Sequence, residues 1–256
     1  MVTVFRKARA GAPAGFFACE AAGLAWLRDA GGVPVVDVLD VHDSALTLVR
    51  LEPVAASREV ARTFGRRLAV THDAGADAFG APPPGWGRDG FFGPLDQPLP
   101  MPAGAFGAWG EFHATCRVAP VTRLLVDGGV VDGGVAAALD RLAARLASGV
   151  FDDDDVPARL HGDLWSGNVV WTAAGATLVD PAAHGGHRET DLAMLALFGL
   201  PFLDDVLAAY GEVHPLRPGV GRRAGLHQVY PVAVHALLFG GAYVDRLAEL
   251  ARRWGR

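Results

Sequence analysis

Apolar and polar positions alternate at the start of the chain, where Val2-Thr-Val-Phe5-Arg-Lys7 reads as a strand. The period then lengthens. Phe16, Phe17, Leu24 and Leu27 fall on one face of a helix, and Glu20 lies within that segment. Strand patterns follow at 33–41 and 45–50, with Asp43-Ser44 as the turn between them. Ser57 is placed to cap a helix running to about Asp73, in which Val60, Phe64 and Leu68 recur every four residues. His72 ends this helix and reads as a structural residue or one that complements the helix dipole. Residues 75–104 break both periods and are rich in Gly and Pro; irregular stretches of this length in compact domains are usually functional. Their aromatics, Trp86, Phe91 and Phe92, read either as an apolar wall of a cleft or as packing beneath a loop. Helical patterns occupy 106–117, 135–147, 189–198, 202–210 and 222–253. A strand at 158–161 and two short strands at 168–171 and 176–180, joined by a turn at Ala173-Ala-Gly175, interrupt them. The whole predicts an α+β chain with a small N-terminal sheet lobe, 1–52, and a larger, mostly helical lobe, 53–256.

Candidate chemistry concentrates in His161-Gly-Asp163-Leu-Trp165-Ser-Gly-Asn168 and in Leu178-Val-Asp180-Pro181. The hairpin pattern puts Asn168 at the start of one strand and Asp180 at the end of the next, on the same side. A carboxylate, a side-chain amide and a second carboxylate around one point are what phosphoryl transfer from ATP needs. One carboxylate, Asp163, orients the attacking hydroxyl and accepts its proton, while Asn168 and Asp180 ligate Mg2+ through hard oxygens. Motifs of this kind also arise by chance, and an Asp in such a context is often a turn residue.

Composition adds one observation. Of 23 strong bases, Lys7 is the only lysine. A bias toward arginine explains the others but not the one that survives at the end of an apolar strand. A compact ammonium reaches nucleotide phosphates where a guanidinium fork fits poorly. A strand lysine paired with a glutamate on the next helix, here Lys7 with Glu20, is a kinase arrangement. The alternative is an edge-strand charge beside an ordinary helix charge.

These residues together give the chain a resemblance to the fructosamine kinase (ketosamine-3-kinase) family. That family belongs to the protein-kinase-like fold, near aminoglycoside and choline kinases. The resemblance is carried by Leu160 to Asn168, Asp180-Pro-Ala182, Arg188 to Met194, Leu197-Phe-Gly199, Val4 to Lys7, Leu51-Glu-Pro53, Leu68 to His72, Trp109 to Arg117 and His235 to Tyr243. It implies an ATP- and Mg2+-dependent kinase that phosphorylates the 3-hydroxyl of a ketosamine and so leads to deglycation. It implies Asp163 as catalytic base, Lys7 and Glu20 at the phosphates, and a hinge at Val49 to Leu51 that reads adenine through backbone groups. His161 and Asp191 would brace the catalytic loop, and Trp165 would face the acceptor or else belong to the core. Another small hydroxylated amine, choline or an aminoglycoside, is the alternative acceptor. The family places two strands and a small-residue turn over the ATP phosphates before the lysine. Only six residues precede Lys7 here, so that part is expected to be missing or to lie upstream, which keeps a pseudokinase open and leaves 2–6 as an expected sheet edge.

Bulk properties agree with a soluble cytoplasmic enzyme. The longest apolar run, 192–203, is broken by Gly199 and Pro201, no signal-peptide pattern opens the chain, and no membrane association is expected. Two distant cysteines, Cys19 and Cys116, suggest reduced thiols, and a net charge of −5 argues against nucleic acid as a partner. The partner expected instead is a small ketosamine or a glycated amine or protein, on a monomer or homodimer. The Asp152 to Asp155 run reads as a solvated loop. His184 and His187 with Asp180 form a weaker zinc pattern than the oxygen-rich Mg2+ set.

Overall fold

The computed structural model describes residues 3–256, so Val2 of the first predicted strand lies outside the described residues. A three-stranded antiparallel sheet opens the fold, built from β1 (Val4–Ala8), β2 (Val38–His42) and β3 (Ala45–Val49) in the order β1-β3-β2. Helix α1 (Phe16–Asp29) covers one face, burying Phe17 and Leu24 against Val36, Leu46 and Leu48. β1 is an edge of this sheet, and Val4 and Phe5 on it are exposed, as the sequence predicts. The predicted strand at 33–41 begins late. Pro34 and Val36 spend their backbone groups on Leu178, through Leu178 N–H to the Pro34 carbonyl and Val36 N–H to the Leu178 carbonyl. That stretch therefore ties the sheet to the central hairpin instead of extending β2.

The larger part begins with α2 (Arg58–Asp73), whose Ser57 cap accepts a hydrogen bond from Val60 N–H. Within the Gly/Pro-rich stretch lies a hairpin, β4 (Gly90–Phe92) and β5 (Leu99–Met101), that sequence reading misses. Only two strands pair there, so Pro100 removes little from the ladder. Helix α3 (Trp109–His113) passes through a π-helical turn, Ala114–Val118, into α4 (Ala119–Asp127). The pattern read over 106–117 continues beyond its end, and Pro120 is tolerated because it follows the π turn and the Cys116 carbonyl accepts from the Arg117 guanidinium instead. Then come α5 (Gly133–Ala147), β6 (Ala158–Leu160), a 3₁₀ turn at Ser166–Asn168, β7 (Val169–Thr172), β8 (Gly175–Leu178) and β9 (His184–Gly186). The chain closes with α6 (Arg188–Phe198), α7 (Leu203–Val213), α8 (Val220–His227), α9 (Val229–Phe239) and α10 (Ala242–Trp254). The single helical pattern at 222–253 is thus three helices. Gly240 and Gly241, both at positive φ, turn the chain between the last two.

Two cores support this part. One packs α2 and α7 against the β7–β8 hairpin through Phe64, Leu68, Leu178 and Tyr210. The other joins α3, α4, α5, α9 and α10 through Phe112, Leu125, Leu139, Leu142 and Leu247. The acidic run at 152–155 is not a solvated loop. Asp153 pairs with His187 and Arg217, Asp155 with Arg188, and Asp152 accepts from Gly110 N–H, while Asp154 stands in solvent at 93% exposure with Arg217 3.8 Å away. A buried cation supplies the reason, since Arg188 needs counter-charges. Among the described residues no helix is long and apolar enough to cross a membrane.

Candidate active site

Register places Lys7 opposite Leu46, on the sheet face that α1 covers. There its ammonium meets both Glu20 carboxylate oxygens, at 2.8 and 3.0 Å, and reaches Asp180 Oδ1 at 3.1 Å. Burial works against the charge of Lys7, but the two carboxylates outweigh it and raise its pKa. Burial pushes the Glu20 carboxyl up while Lys7 opposes the shift. Asp180 follows β8 at φ 54°, a left-handed conformation rare for a residue with a Cβ. Such strain is kept where surrounding structure holds a functional group in place.

The segment from His161 to Asn168 is fixed from behind by Asp191 on α6. The Asp191 carboxylate, buried, accepts from His161 N–H at 2.8 Å and Gly162 N–H at 3.0 Å. His72 Nε2 lies 3.2 Å from the same carboxylate, and its Nδ1 lies 2.9 Å from the Tyr210 hydroxyl. His72, in the last turn of α2, is therefore a structural residue within the core. Burial opposes ionisation of Asp191, but His72 and the backbone donors hold its carboxyl below the usual range. His161 donates from Nε2 to the Val179 carbonyl at 2.9 Å, which leaves Nδ1 to accept from Asp163 N–H at 3.3 Å. Gly162, at φ 83°, lies so close to Ala182 that any Cβ would overlap the Ala182 carbonyl oxygen.

Asn168 donates from Nδ2 to the Asp163 carbonyl at 2.8 Å and to Asp163 Oδ2 at 3.2 Å. With the amide nitrogen so used, Asn168 Oδ1 is the group left to face a ligand. Burial lifts the Asp163 carboxyl to about 7; the Asn168 hydrogen bond opposes this, and the Asp180 and Asp191 charges add to it.

Lys7, Glu20, Asp163, Trp165, Asn168 and Asp180 line one cavity of about 290 Å³. Phe91 and Phe92 join them, whereas Trp86 does not; it packs on Gly15 and stacks with Arg88. Val49 and Leu51 are not brought to the cavity. The Val49 N–H bonds the Asp37 carbonyl at 2.9 Å, and Leu51 packs on the small sheet's core. Sequence reading missed Phe16, Cys19, Gly93 to Leu95, Val234, His235, Leu238 and Phe239, which also line it. The Gly240-Gly241 pair was the available signal for the last of these, since it marks a helix end. Arg9 ties the β4–β5 loop to the small sheet by donating to the Leu95 carbonyl at 2.7 Å.

The zinc pattern dissolves. His184 bonds the Ala182 carbonyl, His187 bonds Asp153, and Asp180 bonds Lys7. A second cluster, His187, Glu189 and His227, is already occupied by protein groups. Arg223 holds the Glu189 carboxylate, and Thr190 bonds His227 Nδ1.

The family model described as fructosamine kinase matches residues 2–254. A probable ketoamine kinase of Thermus thermophilus is 34% identical over 235 residues, covering 92% of this chain and 81% of that protein. A solved structure provisionally named a fructosamine-3-kinase, from Thermobifida fusca, is 44% identical with a TM-score of 0.90, covering 99% of this chain and 85% of that one. The choline kinase of Streptococcus pneumoniae, 12% identical with a TM-score of 0.64 over 99% of this chain and 86% of that one, shares the fold alone. That fold is protein-kinase-like, a small sheet region beside a larger helical part, as the sequence predicts. On the family match over nearly its whole length, the chain belongs to the fructosamine kinase family and is an ATP-dependent kinase.

Proposed function

We propose that the protein transfers the γ-phosphoryl group of ATP to the 3-hydroxyl of a ketosamine, a sugar joined through its C1 to an amine. The observation that carries this reading is the convergence of Lys7, Asp163, Asn168 and Asp180 on one cavity. The family's description and the relatives' names supply the acceptor class. Nucleotide would bind between a lobe of residues 1–52 and a lobe of residues 53–256.

In this reading Asp163 accepts the proton of the 3-hydroxyl and aligns its oxygen with the γ-phosphorus. A new O–P bond forms, the bond to the β-phosphate oxygen breaks, and ADP leaves. Positioning dominates, because proton loss is late in a loose transition state. Lys7, held by Glu20, neutralises charge on the phosphates. Asn168 Oδ1 and the Asp180 carboxylate fit a hard divalent cation and would hold Mg2+. Bound there, the metal supplies charge neutralisation to the triphosphate. His161 and Asp191 keep the loop rigid, and Trp165 offers a flat face to the acceptor. Once phosphorylated at O3, the enolised adduct can expel phosphate, and hydrolysis then frees the amine, which is deglycation.

The test combines a product assay with one variant. Incubation with ATP, Mg2+ and a ribulose- or fructose-amine adduct should give one new sugar phosphate by 31P NMR. Asp163→Asn should lower kcat by at least 100-fold while ATP binding, read by calorimetry, stays within threefold. Retention of most activity in that variant rejects the assignment of the base. Absence of sugar phosphate from any ketosamine rejects the function.

A further inference from the structure

The aromatic side of the cleft bears on the charge of the acceptor. Trp165 is 39% exposed, and its ring meets Phe198 edge-on at 5.9 Å. Phe198 lies 4.9 Å from His235, and His235 lies 5.5 Å from Phe239. Trp165, His235 and Phe239 all line the cavity, and Phe198 links Trp165 to His235 from behind, so an aromatic wall runs outward from Trp165. Its outer end, Phe239, is 63% exposed and is the last residue of α9. Helix C-termini carry partial negative charge from carbonyls without intrahelical partners. His235 donates from Nδ1 to the Pro231 carbonyl at 2.7 Å, which leaves Nε2 as a hydrogen-bond acceptor.

Fixed charges in the cavity point the same way. Among the described residues that line it, three are carboxylates, Glu20, Asp163 and Asp180, and one is a strong base, Lys7. That base is already held by Glu20 and Asp180. The aromatic wall contributes no lysine or arginine. An ammonium over such a wall gains from the ring faces and from the helix end. A carboxylate in the same place meets π-faces and carbonyls and finds no donor to replace water.

Resting on the ketosamine reading, we infer that the acceptor's amine sits as an ammonium against the aromatic wall that Trp165, His235 and Phe239 form. The site therefore selects ketosamines whose amine has no carboxylate nearby. Adducts of alkylamines, and of a lysine side chain within a peptide, meet that condition. Adducts of an amino acid's own α-amine do not, because their carboxylate lies two bonds from the nitrogen.

Two adducts of one ketose, formed with propylamine and with glycine, match in length and differ in that carboxylate. At pH 7 kcat/KM should be at least tenfold higher for the propylamine adduct, with the difference carried by KM. Equal values, or preference for the glycine adduct, overturn the inference. Phe239→Arg places a cation at an exposed position that the fold should tolerate, which an unchanged unfolding midpoint verifies. It should narrow the ratio at least fivefold, chiefly through a lower KM for the glycine adduct. An unmoved ratio in that variant also overturns the inference. Failure of the enzyme to phosphorylate either adduct, or any other ketosamine, defeats the ketosamine reading itself. Equal use of both adducts defeats only the charge selection.

Discussion

Replacing Asp191 by asparagine exchanges one oxygen for an amide nitrogen and removes a charge, with almost no change of shape. In the native protein Oδ2 accepts from His161 N–H at 2.8 Å and faces His72 Nε2 at 3.2 Å, while Oδ1 accepts from Gly162 N–H at 3.0 Å. Asparagine keeps one acceptor oxygen. Its NH2 group must then face a backbone N–H that has no other partner inside the core. A buried donor left unsatisfied costs about 1–3 kcal/mol, and the hydrogen bonds that survive lose their charge assistance, at about 1 kcal/mol more. The sum is a loss of about 3 kcal/mol, read as a lower urea midpoint at unchanged m-value. Activity should suffer separately, because the same backbone carries Asp163. Displacing a positioned base by a fraction of an ångström is expected to lower kcat by at least tenfold. KM for ATP should stay within threefold, since Lys7, Glu20 and Asp180 keep their contacts. Urea titration and steady-state kinetics on purified Asp191→Asn measure both quantities. A stability change below about 0.5 kcal/mol, or a native kcat, refutes the bracing role.

Gly162→Ala should fail to fold or lose at least ~3 kcal/mol, because its Cβ overlaps the Ala182 carbonyl oxygen at a positive φ. Gly221→Ala, in the open on α8, should be neutral or stabilising by about 0.5–1 kcal/mol, and equal denaturation midpoints for the two variants would contradict the prediction. Acid should destabilise the fold below about pH 6.5. Burial lowers His184 to about 3 and His227 to about 4 in the folded protein, from 6.5 when unfolded. The unfolded chain then binds more protons across that window, so stability falls with falling pH by up to ~1.4 kcal/mol per pH unit for each histidine. Glu189, lowered to about 2 against the opposing effect of burial by its His227 and Arg223 hydrogen bonds, adds a further loss below about pH 4.5. A urea midpoint that stays level from pH 7.5 to 5 rules this out.

Local chemistry was legible in the sequence, and long-range support was not. His161, Asp163 and Asn168 lie within eight residues, and their mutual contacts follow from one tight turn. Lys7 and Glu20 were legible because a strand and the next helix pair locally in the small sheet region. The hairpin carrying Asp180 showed in its alternation. Its left-handed backbone did not, because nothing in Val-Asp-Pro requires φ 54°. The cavity's aromatic side was hidden by a missed break in a correct helical period. Reading 222–253 as one helix gives Phe239 an internal position, whereas the observed break puts it at a helix end beside the cleft. The acidic run was misread for a related reason. Charges look solvated until the fold brings His187 and Arg188 against them, and residues some 30 positions apart carry no local signal of that meeting.

Carboxylates outnumber cations around the cavity. Glu20, Asp163 and Asp180 line it with the single ammonium of Lys7, and the Lys7–Asp180 contact spans the small sheet and the central hairpin. Burial and neighbouring carboxylates raise Asp163 to about 7, against the Asn168 hydrogen bond. A divalent cation held by Asn168 and Asp180 would bring positive charge to this side of the cavity, while the triphosphate would add negative charge of its own. An ammonium on the acceptor would offset part of that excess from the aromatic side, whereas a carboxylate there would add to it, so the acceptor preference follows from the same charge pattern that holds Lys7 in place.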